Sequence, residues 1–538
     1  MVNVATKWWW FVVCVLVCRI PFALCSYNRE QREERCITPN GTFVGISELV
    51  EFRGERKHVT RFLAIPYAAP PIGNLRFMRP EPFPFQKGTV YNTTENRAPC
   101  IQKSYEFLGK QSEDCLHLNL FIPGKNVRME NNYAVMIYIH GGSFISGTGN
   151  VYSGDILSAL NDVIVVTINY RLNVFGFLCS GQPGDGNFGL WDMHMAIQWV
   201  HNNIEYFGGD STRVTLFGNS AGGAAVMYQA MYPLNKGLIH RVIAQSGSIF
   251  SLWALQREPG KMYSDFAAKM NCAGDKISDV VMCLQTANIT NLFNFTLQIM
   301  KDTNDEVFIP CVDGVFVRED PILLAFDPAQ KTKDTVAFFT ELDLMTGIAS
   351  EDGAEFVPSY VFKHTFFSAV YMRQLMQKSF ELEFNKTLSK TKLNALVKNY
   401  HQTVSSAKED IIDFQTDLDS LLGTATKEDI INFQTDLEFL FGAMLAAKCH
   451  TSLDQQSING STYFYIFDQV PSFAPDETKQ QNDTTHAFEL PYIFGFTESL
   501  DQNYIEYYES SPFDTVSEED MAMSETMMIL WTNFAKYG

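Results

Sequence analysis

Ser220 stands in the stretch Gly218-Asn-Ser-Ala-Gly222, where an apolar run meets a run of small residues. The apolar residues 214–217 predict a strand, and the small residues 221–225 predict a helix. Such a tight strand–turn–helix junction exposes the Ser Oγ at the start of a helix, where the helix dipole favours a developing anion. The pattern predicts a nucleophile, although a Gly-rich turn without chemistry is the simpler alternative for this motif alone.

A nucleophilic Ser needs an imidazole base, a carboxylate that orients the imidazole, and amide donors for the oxyanion. Downstream of Ser220 the chain offers the acidic pair Glu351-Asp352, followed by glycine, and then His486. Upstream, a predicted strand ends in His140-Gly-Gly142, whose backbone amides can approach a substrate because Gly has no side chain. These residues would complete the machinery of a serine hydrolase.

The elements that must position these residues alternate between strands and helices. Apolar runs at 134–139, 162–169 and 214–218 predict buried strands, and the pattern at 190–207 predicts a helix. This alternation predicts βαβ units and a parallel sheet, and the continuous apolar character of the first run predicts a sheet covered on both faces. Further strands are predicted at residues 112–122, 242–247, 335–339 and 461–467.

The remaining segments are predicted to be extended or helical. Short β-like runs alternate with turns between residues 36 and 61, and the Pro- and Gly-rich stretch 62–77 is expected to be an extended surface segment. Mostly helical excursions are predicted from Trp253 to Asp313 and again up to His450.

The ends and the charge of the chain indicate its class. The chain has 538 residues and a formal net charge of −20, which disfavours nucleic acid as a partner. An apolar block preceded by Lys7 and followed by Ala23-Leu-Cys25 predicts a signal peptide over residues 1–25, with an uncleaved N-terminal anchor as the alternative. Residues 26–538 are then the mature domain, in which no stretch is long and apolar enough to span a membrane.

Cysteines and glycosylation motifs favour a secreted protein or one of the endoplasmic reticulum lumen. Two close Cys pairs, Cys100 with Cys115 and Cys272 with Cys283, would each close a short loop, but spacing alone leaves the connectivity open. Asn-x-Ser/Thr motifs, which predict glycans on exposed loops, begin at Asn40, Asn92, Asn288, Asn294, Asn385, Asn459 and Asn482.

Several independent motifs together resemble the carboxylesterase/cholinesterase family of α/β-hydrolases (type-B carboxylesterases) over residues 36–538. They are Pro66-Tyr-Ala, Pro70-Pro-Ile-Gly, Leu75-Arg-Phe, Glu113-Asp-Cys-Leu, His140-Gly-Gly, Asn169-Tyr-Arg, Gly186-Asn-Phe-Gly-Leu, Phe207-Gly-Gly-Asp, Gly218-Asn-Ser-Ala-Gly-Gly, Gln245-Ser-Gly-Ser and His486 with Glu489-Leu-Pro-Tyr. The resemblance implies an α/β-hydrolase fold, with a central, mostly parallel sheet, helices on both faces and a helical excursion over the active site.

The resemblance also implies roles for single residues. Ser220 resembles the nucleophile and His486 the general base. Asp352, where the family more often has Glu, resembles the acid, and Glu351 is the less favoured choice. The implied oxyanion donors are the backbone amides of Gly142, Ser143 and Ala221. The implied disulfides are Cys100–Cys115 and Cys272–Cys283. Trp253 resembles the aromatic residue of the acyl pocket, although a role in the core is the simpler alternative.

Departures from the family pattern narrow the expected function. Asn219 stands where Glu is frequent, which removes a negative charge beside the imidazole, and Ser143 stands where Gly is commoner but keeps a backbone donor. The short loop between Cys100 and Cys115 holds no Trp to stack on a quaternary ammonium, so a carboxylesterase is favoured over a cholinesterase. Family members continue past Gly538, so the C-terminal end is expected to be incomplete.

Residues 427–437 repeat the sequence of residues 408–418 almost exactly. Solenoid folds need at least three units, so two copies favour a short tandem duplication, with an error of gene assembly as the alternative.

The predicted function is that of a serine esterase acting on a small-molecule ester through an acyl-enzyme on Ser220. No metal, no cofactor and no nucleic acid are predicted. The alternatives are a non-catalytic, esterase-like adhesion or receptor ectodomain and a truncated product that folds poorly.

Overall fold

The computed structural model describes residues 31–103, 108–272, 274–303, 308–326, 333–356, 427–451, 460–474, 484–497 and 516–538. Within these residues the chain forms one sheet of 11 strands. The strands are β1 (Arg32–Thr38), β2 (Gly41–Phe52), β3 (Glu55–Pro66), β4 (Val90–Asn92), β5 (His117–Pro123), β6 (Tyr133–Ile139), β7 (Val163–Ile168), β8 (Gly209–Asn219), β9 (Arg241–Gln245), β10 (Asp343–Ala349) and β11 (Thr462–Phe467).

The strand order is β1-β2-β3-β5-β7-β6-β8-β9-β10-β11, with β4 pairing in parallel beside β2. Neighbours are antiparallel from β1 as far as β7. From β7 onward they are parallel through β6, β8, β9, β10 and β11. The carboxyl ends of these parallel strands therefore meet at one edge, which is where open α/β sheets bind their ligands.

Helices connect the strands and follow them. The α-helices are α1 (Asp155–Asn161), α2 (Asn173–Phe177), α3 (Phe188–Asn203), α4 (Ala221–Ala230), α5 (Pro259–Lys269), α6 (Ile277–Thr286), α7 (Ile289–Thr303), α8 (Pro321–Phe326), α9 (Lys333–Glu341), α10 (Lys427–Thr435), α11 (Phe441–Thr451), α12 (Leu490–Phe494) and α13 (Glu518–Tyr537). Short 3₁₀ turns lie at Gly73–Leu75, Met129–Asn131, Ile204–Phe207, Pro233–Asn235, Leu252–Ala254 and Asp352–Phe356, and a π turn lies at Asp436–Leu440.

Strand β6 shows why the sheet is buried on both sides. Val135 and Ile137 point into a core that includes residues of α3 and α4. Met136 and Tyr138 point into a second core that includes residues of α1, α12 and α13. Because successive side chains of a strand face opposite sides, a continuous apolar run needs cover on both faces. The predicted α/β fold, with a large, mostly parallel sheet between helices, is confirmed.

The predicted strand at residues 335–339 is wrong. These residues lie in α9, and the strand is β10, which begins at Asp343. Short apolar runs do not distinguish a strand from a buried helix face. Gly347 interrupts the strand pattern of β10, because Gly disfavours the interior of a strand. Gly is nevertheless required at this position, because an added β-carbon would collide with Tyr465 of β11.

The stretch 62–77 is not a surface segment as a whole. Phe62, Ile65, Tyr67 and Phe77 are each at most 2% exposed. Residues 62–66 complete β3, and the Tyr67 hydroxyl donates a hydrogen bond of 2.6 Å to the carbonyl oxygen of Asn169. Pro and Gly do exclude a regular helix here, but large apolar side chains carry the segment into the core.

Disulfides join Cys100 to Cys115 and Cys272 to Cys283, as the family resemblance implies. A third bond, between Cys179 and Cys311, was not predicted. Residues 408–418, the first copy of the repeat, lie outside the described residues. None of the helices in the described part of the chain is both long enough and apolar enough to cross a bilayer.

Candidate active site

Ser220 occupies a strained turn between β8 and α4. Its backbone has φ 61° and ψ −128°, a conformation that costs free energy in a residue with a side chain. The Ser220 amide donates a 2.8 Å hydrogen bond to the carbonyl oxygen of Gln245, at the end of the neighbouring strand β9. The predicted strand–turn–helix context is present, and it holds Ser220 at the carboxyl edge of the parallel strands.

The loop after β6 packs directly against this turn. A β-carbon added at Gly141 would lie 2.6 Å from the carbonyl oxygen of Asn219 and 3.0 Å from Cβ of Ser220. Gly142 and Ser143 both have positive φ, of 102° and 55°. Within the described residues neither amide donates a hydrogen bond to the protein. Donors beside a nucleophile that are left without a protein acceptor are suited to an oxyanion.

Ala221, the third predicted donor, is the first residue of α4. The first amides of a helix have no acceptor within the helix. The three predicted oxyanion donors therefore flank the Ser220 turn from two elements, the loop after β6 and the start of α4.

His486 and Asp352 form a buried pair. Nδ1 of His486 lies 2.8 Å from Oδ1 of Asp352, and the side chains are 7% and 0% exposed. The second oxygen of Asp352 accepts a 2.9 Å hydrogen bond from the amide of Ala349, at the end of β10. Both carboxylate oxygens are thus engaged, which fixes the Asp352 side chain. Because a carboxylate only accepts, Nδ1 of His486 is the hydrogen-bond donor of this pair.

The second copy of the repeat packs on the turn that carries Asp352. Thr435 Oγ1 accepts a 2.9 Å hydrogen bond from the amide of Gly353. The following π turn brings Phe439 to the His486 imidazole, with ring centroids 4.8 Å apart. Trp253 donates from Nε1 to the carbonyl oxygen of Glu438 at 2.9 Å. The helix over this part of the site therefore comes from residues 427–440, and Trp253 is fixed beside it.

Glu489 is a site residue whose contacts the sequence did not predict. Its side chain is 1% exposed, and Oε1 accepts hydrogen bonds from Asn219 Nδ2 at 2.8 Å and Gln245 Nε2 at 3.0 Å. Burial, and next the charge of Asp352, raise the pKa of the Glu489 carboxyl. The available signal was its position, three residues after His486 and directly before α12.

His140 is a structural neighbour of the oxyanion loop. Its imidazole stacks on Tyr170 with centroids 4.4 Å apart, and Nδ1 lies 2.8 Å from the carbonyl oxygen of Gly141. Burial lowers the pKa of His140 from 6.5 to about 4, so the ring is neutral at physiological pH. A neutral, stacked ring at this position supports the loop and adds no charge to it.

Comparison with known proteins finds similarity along nearly the whole chain. The sequence model described as "Carboxylesterase family" matches residues 33–538. Bile salt-activated lipase of Bos taurus is 31% identical over 93% of this chain and 78% of its own length. Acetylcholinesterase 1 of Caenorhabditis elegans is 31% identical over 90% of this chain and 76% of its own length.

Neuroligin-2 of Mus musculus is also 31% identical, over 89% of this chain. Here the match spans only 57% of the relative's own length. Similarity of this extent indicates a common fold and ancestry. It does not determine the chemistry, which depends on the site residues. On the match over residues 33–538, the chain belongs to the carboxylesterase family.

Proposed function

We propose that the protein is a serine esterase that hydrolyses small-molecule carboxylic esters. The observation that carries the proposal is the buried hydrogen bond of 2.8 Å between His486 Nδ1 and Asp352 Oδ1. A carboxylate on Nδ1 keeps Nε2 as the basic nitrogen and stabilises the imidazolium that forms in the reaction. Serine hydrolases use this arrangement for general base catalysis.

In the proposed mechanism Ser220 Oγ forms a bond to the ester carbonyl carbon while its proton passes to His486 Nε2. The negative charge moves to the carbonyl oxygen, where the amides of Gly142, Ser143 and Ala221 stabilise it. The bond to the alcohol then breaks, and the leaving oxygen takes the proton from His486. Water repeats the sequence on the acyl-enzyme, releasing the acid and restoring Ser220.

The alternative is an adhesion or receptor ectodomain without catalysis. The observation in its favour is the similarity to neuroligin-2, at the same identity as the relatives named bile salt-activated lipase and acetylcholinesterase 1. The complete set of Ser220, His486 and Asp352 favours the esterase.

The deciding experiment is the labelling of the purified protein with a fluorophosphonate probe, alongside turnover of a short-chain chromogenic ester. We expect labelling at Ser220 and loss of both signals in Ser220→Ala. Ser158→Ala, the same substitution in α1, is the matched control and should label and turn over like the wild type. A wild-type protein that neither labels nor hydrolyses any ester of a panel of acyl lengths would favour the adhesion protein.

The proposed location is extracellular or in the endoplasmic reticulum lumen. Three disulfides in the described residues support it, because such bonds persist in oxidising compartments.

A further inference from the structure

A buried polar cluster joins the turn that carries Ser220 to the loop that carries His486. We define the Glu489 cluster as Asn219, Gln245, Glu489 and Trp531, which are all at most 4% exposed. We infer that Glu489 is a positioning residue, whose Oε1 holds the two catalytic segments in register by accepting from both Asn219 and Gln245. The inference rests on the proposed function and extends it to a residue outside the Ser–His–Asp set.

The two donors are presented by the sheet itself. Asn219 and Gln245 are directly paired in the register of β8 and β9, so their side chains leave adjacent strands at the same level. Their amide groups converge on one oxygen, at 2.8 and 3.0 Å. Gln245 also accepts the amide of Ser220 on its backbone carbonyl, so one residue contacts both the nucleophile turn and Glu489.

The acceptor belongs to the histidine loop. Glu489 follows His486 by three residues, and its own carbonyl oxygen accepts the amide of Ile493 at 3.1 Å in α12. Ala487, between them, has φ 65°, a conformation that needs support from its surroundings. A side-chain bond from Glu489 to the strands therefore limits how far His486 can move from Ser220.

Trp531 restrains the cluster from the other side. Its Nε1 donates to Oε1 of Gln245 at 3.3 Å from helix α13, which leaves the Gln245 amide nitrogen directed at Glu489. The orientation of the Gln245 amide is thus determined by a donor on one end and an acceptor on the other.

The cluster also gives Asn219 a purpose. A carboxylate at position 219 would face the Glu489 carboxyl, and two carboxylates at this distance cannot both be ionised. The neutral amide of Asn219 instead donates a hydrogen bond. Asn219, the unusual residue beside the nucleophile, is therefore complementary to Glu489, because its side chain donates a hydrogen bond to the Glu489 carboxyl.

The test compares two substitutions of Glu489. Glu489→Gln keeps an acceptor oxygen and the shape of the side chain, whereas Glu489→Leu keeps a similar volume and removes the acceptor. The readouts are the rate of fluorophosphonate labelling at Ser220, kcat and KM for an ester, and deuterium exchange of peptides covering residues 218–223 and 484–490. Asp520→Ala is the matched control, because Asp520 is a buried carboxylate that accepts from Tyr492 on α12 and makes no contact with the Ser220 turn.

We expect Glu489→Leu to slow labelling and lower kcat by about 10- to 100-fold, which is the scale of a misplaced catalytic group. KM should change much less, and exchange should become faster in both peptides. Glu489→Gln should restore labelling to within about fivefold of the wild type, since a neutral amide oxygen still accepts. Asp520→Ala should lower stability without increasing exchange at residues 218–223.

Two results would overturn the inference. One is a labelling rate and a deuterium exchange in Glu489→Leu that equal those of the wild type, which would mean that Glu489 does not hold the two segments together. The other is an equal loss in Glu489→Gln and Glu489→Leu, which would mean that the acceptor is not what matters. If the wild-type protein neither labels nor hydrolyses esters, the proposed function fails, and the exchange comparison still decides whether Glu489 holds the two segments together.

Discussion

The ring of Phe439 lies 4.8 Å from the imidazole of His486, measured between centroids, with 39° between the ring planes. Phe356 meets the same imidazole edge-on at 5.3 Å. The imidazole is therefore enclosed by two aromatic rings and bonded to the Asp352 carboxylate. Exclusion of water from such a pair strengthens its electrostatic attraction. Phe439 lies two residues after the end of the second copy of the repeat, in the π turn Asp436–Leu440 that begins within this copy.

Thr435 tests the contribution of the repeat. Thr435→Val removes the acceptor of the Gly353 amide without changing the size of the side chain, and an unpaired buried donor costs about 1–3 kcal/mol. We expect lower stability toward urea and a lower kcat, because Gly353 adjoins Asp352. Thr435→Ser keeps the hydroxyl and should stay close to the wild type in both measurements. Equal urea midpoints for the Val and Ser variants would contradict the prediction.

Asp352 can be distinguished from its neighbour Glu351 by amide substitutions. Asp352→Asn keeps the shape but favours the wrong imidazole tautomer, so kcat for an ester should fall by a factor on the order of 10³–10⁴. Glu351→Gln, the matched control, should retain most of the activity. Circular dichroism should show both variants folded. A larger loss in Glu351→Gln than in Asp352→Asn would reassign the acid.

Two buried histidines predict a loss of stability in acid. Burial is the main cause that lowers the pKa of both His140 and His117 from 6.5 to about 4. Between these values the unfolded chain binds protons that the folded protein does not. The stability they contribute is thus present above pH 6.5 and is lost as the pH falls through 4. Each group can change the free energy of unfolding by about 1.4 kcal/mol per pH unit.

The measurement is urea unfolding of the wild type and of His117→Gln across this pH range. We expect the free energy of unfolding to fall less steeply with acid in the variant, because one titrating group is absent. Parallel curves for the two proteins would show that His117 does not titrate in this way.

The disulfides predict unequal losses of stability. Cys179–Cys311 closes a loop between residues that are 132 positions apart, whereas the residues of Cys272–Cys283 are 11 positions apart. On a chain-entropy argument, the longer loop should contribute about 2 kcal/mol more. Serine pairs at each site, compared by chemical unfolding, should show the larger loss for Cys179 and Cys311. A larger loss for the short loop would indicate that local strain or packing decides instead.

The sequence predicted the central part of the fold because that information is local. The strands around Val135 and Leu216 are continuous apolar runs, and the turn at Ser220 is encoded within five residues. The order of Ser220, Asp352 and His486 along the chain gave the candidate site. Short apolar runs carry less information, which is why the pattern predicts a strand at residues 335–339 and does not predict β10.

Contacts between distant residues were beyond the reach of sequence patterns. Glu489 is 270 residues from Asn219 and 244 from Gln245, and no spacing rule connects them. Cys179 and Cys311 are 132 residues apart, so no close spacing of cysteines indicates that they form a disulfide. The role of Phe439 depends on where a helix packs, which propensity does not determine. Each of these follows from the three-dimensional packing of the sheet ends.

The close approach of Gly141 to the Ser220 turn limits which substitutions this protein can accept. A single methyl group at Gly141 would lie 2.6 Å from the carbonyl oxygen of Asn219, at the end of β8, and one at Gly218 would lie 2.6 Å from the carbonyl oxygen of Ile139. Even alanine, the smallest replacement, forces two backbones apart. Libraries of variants should therefore leave Gly141 and Gly218 unchanged.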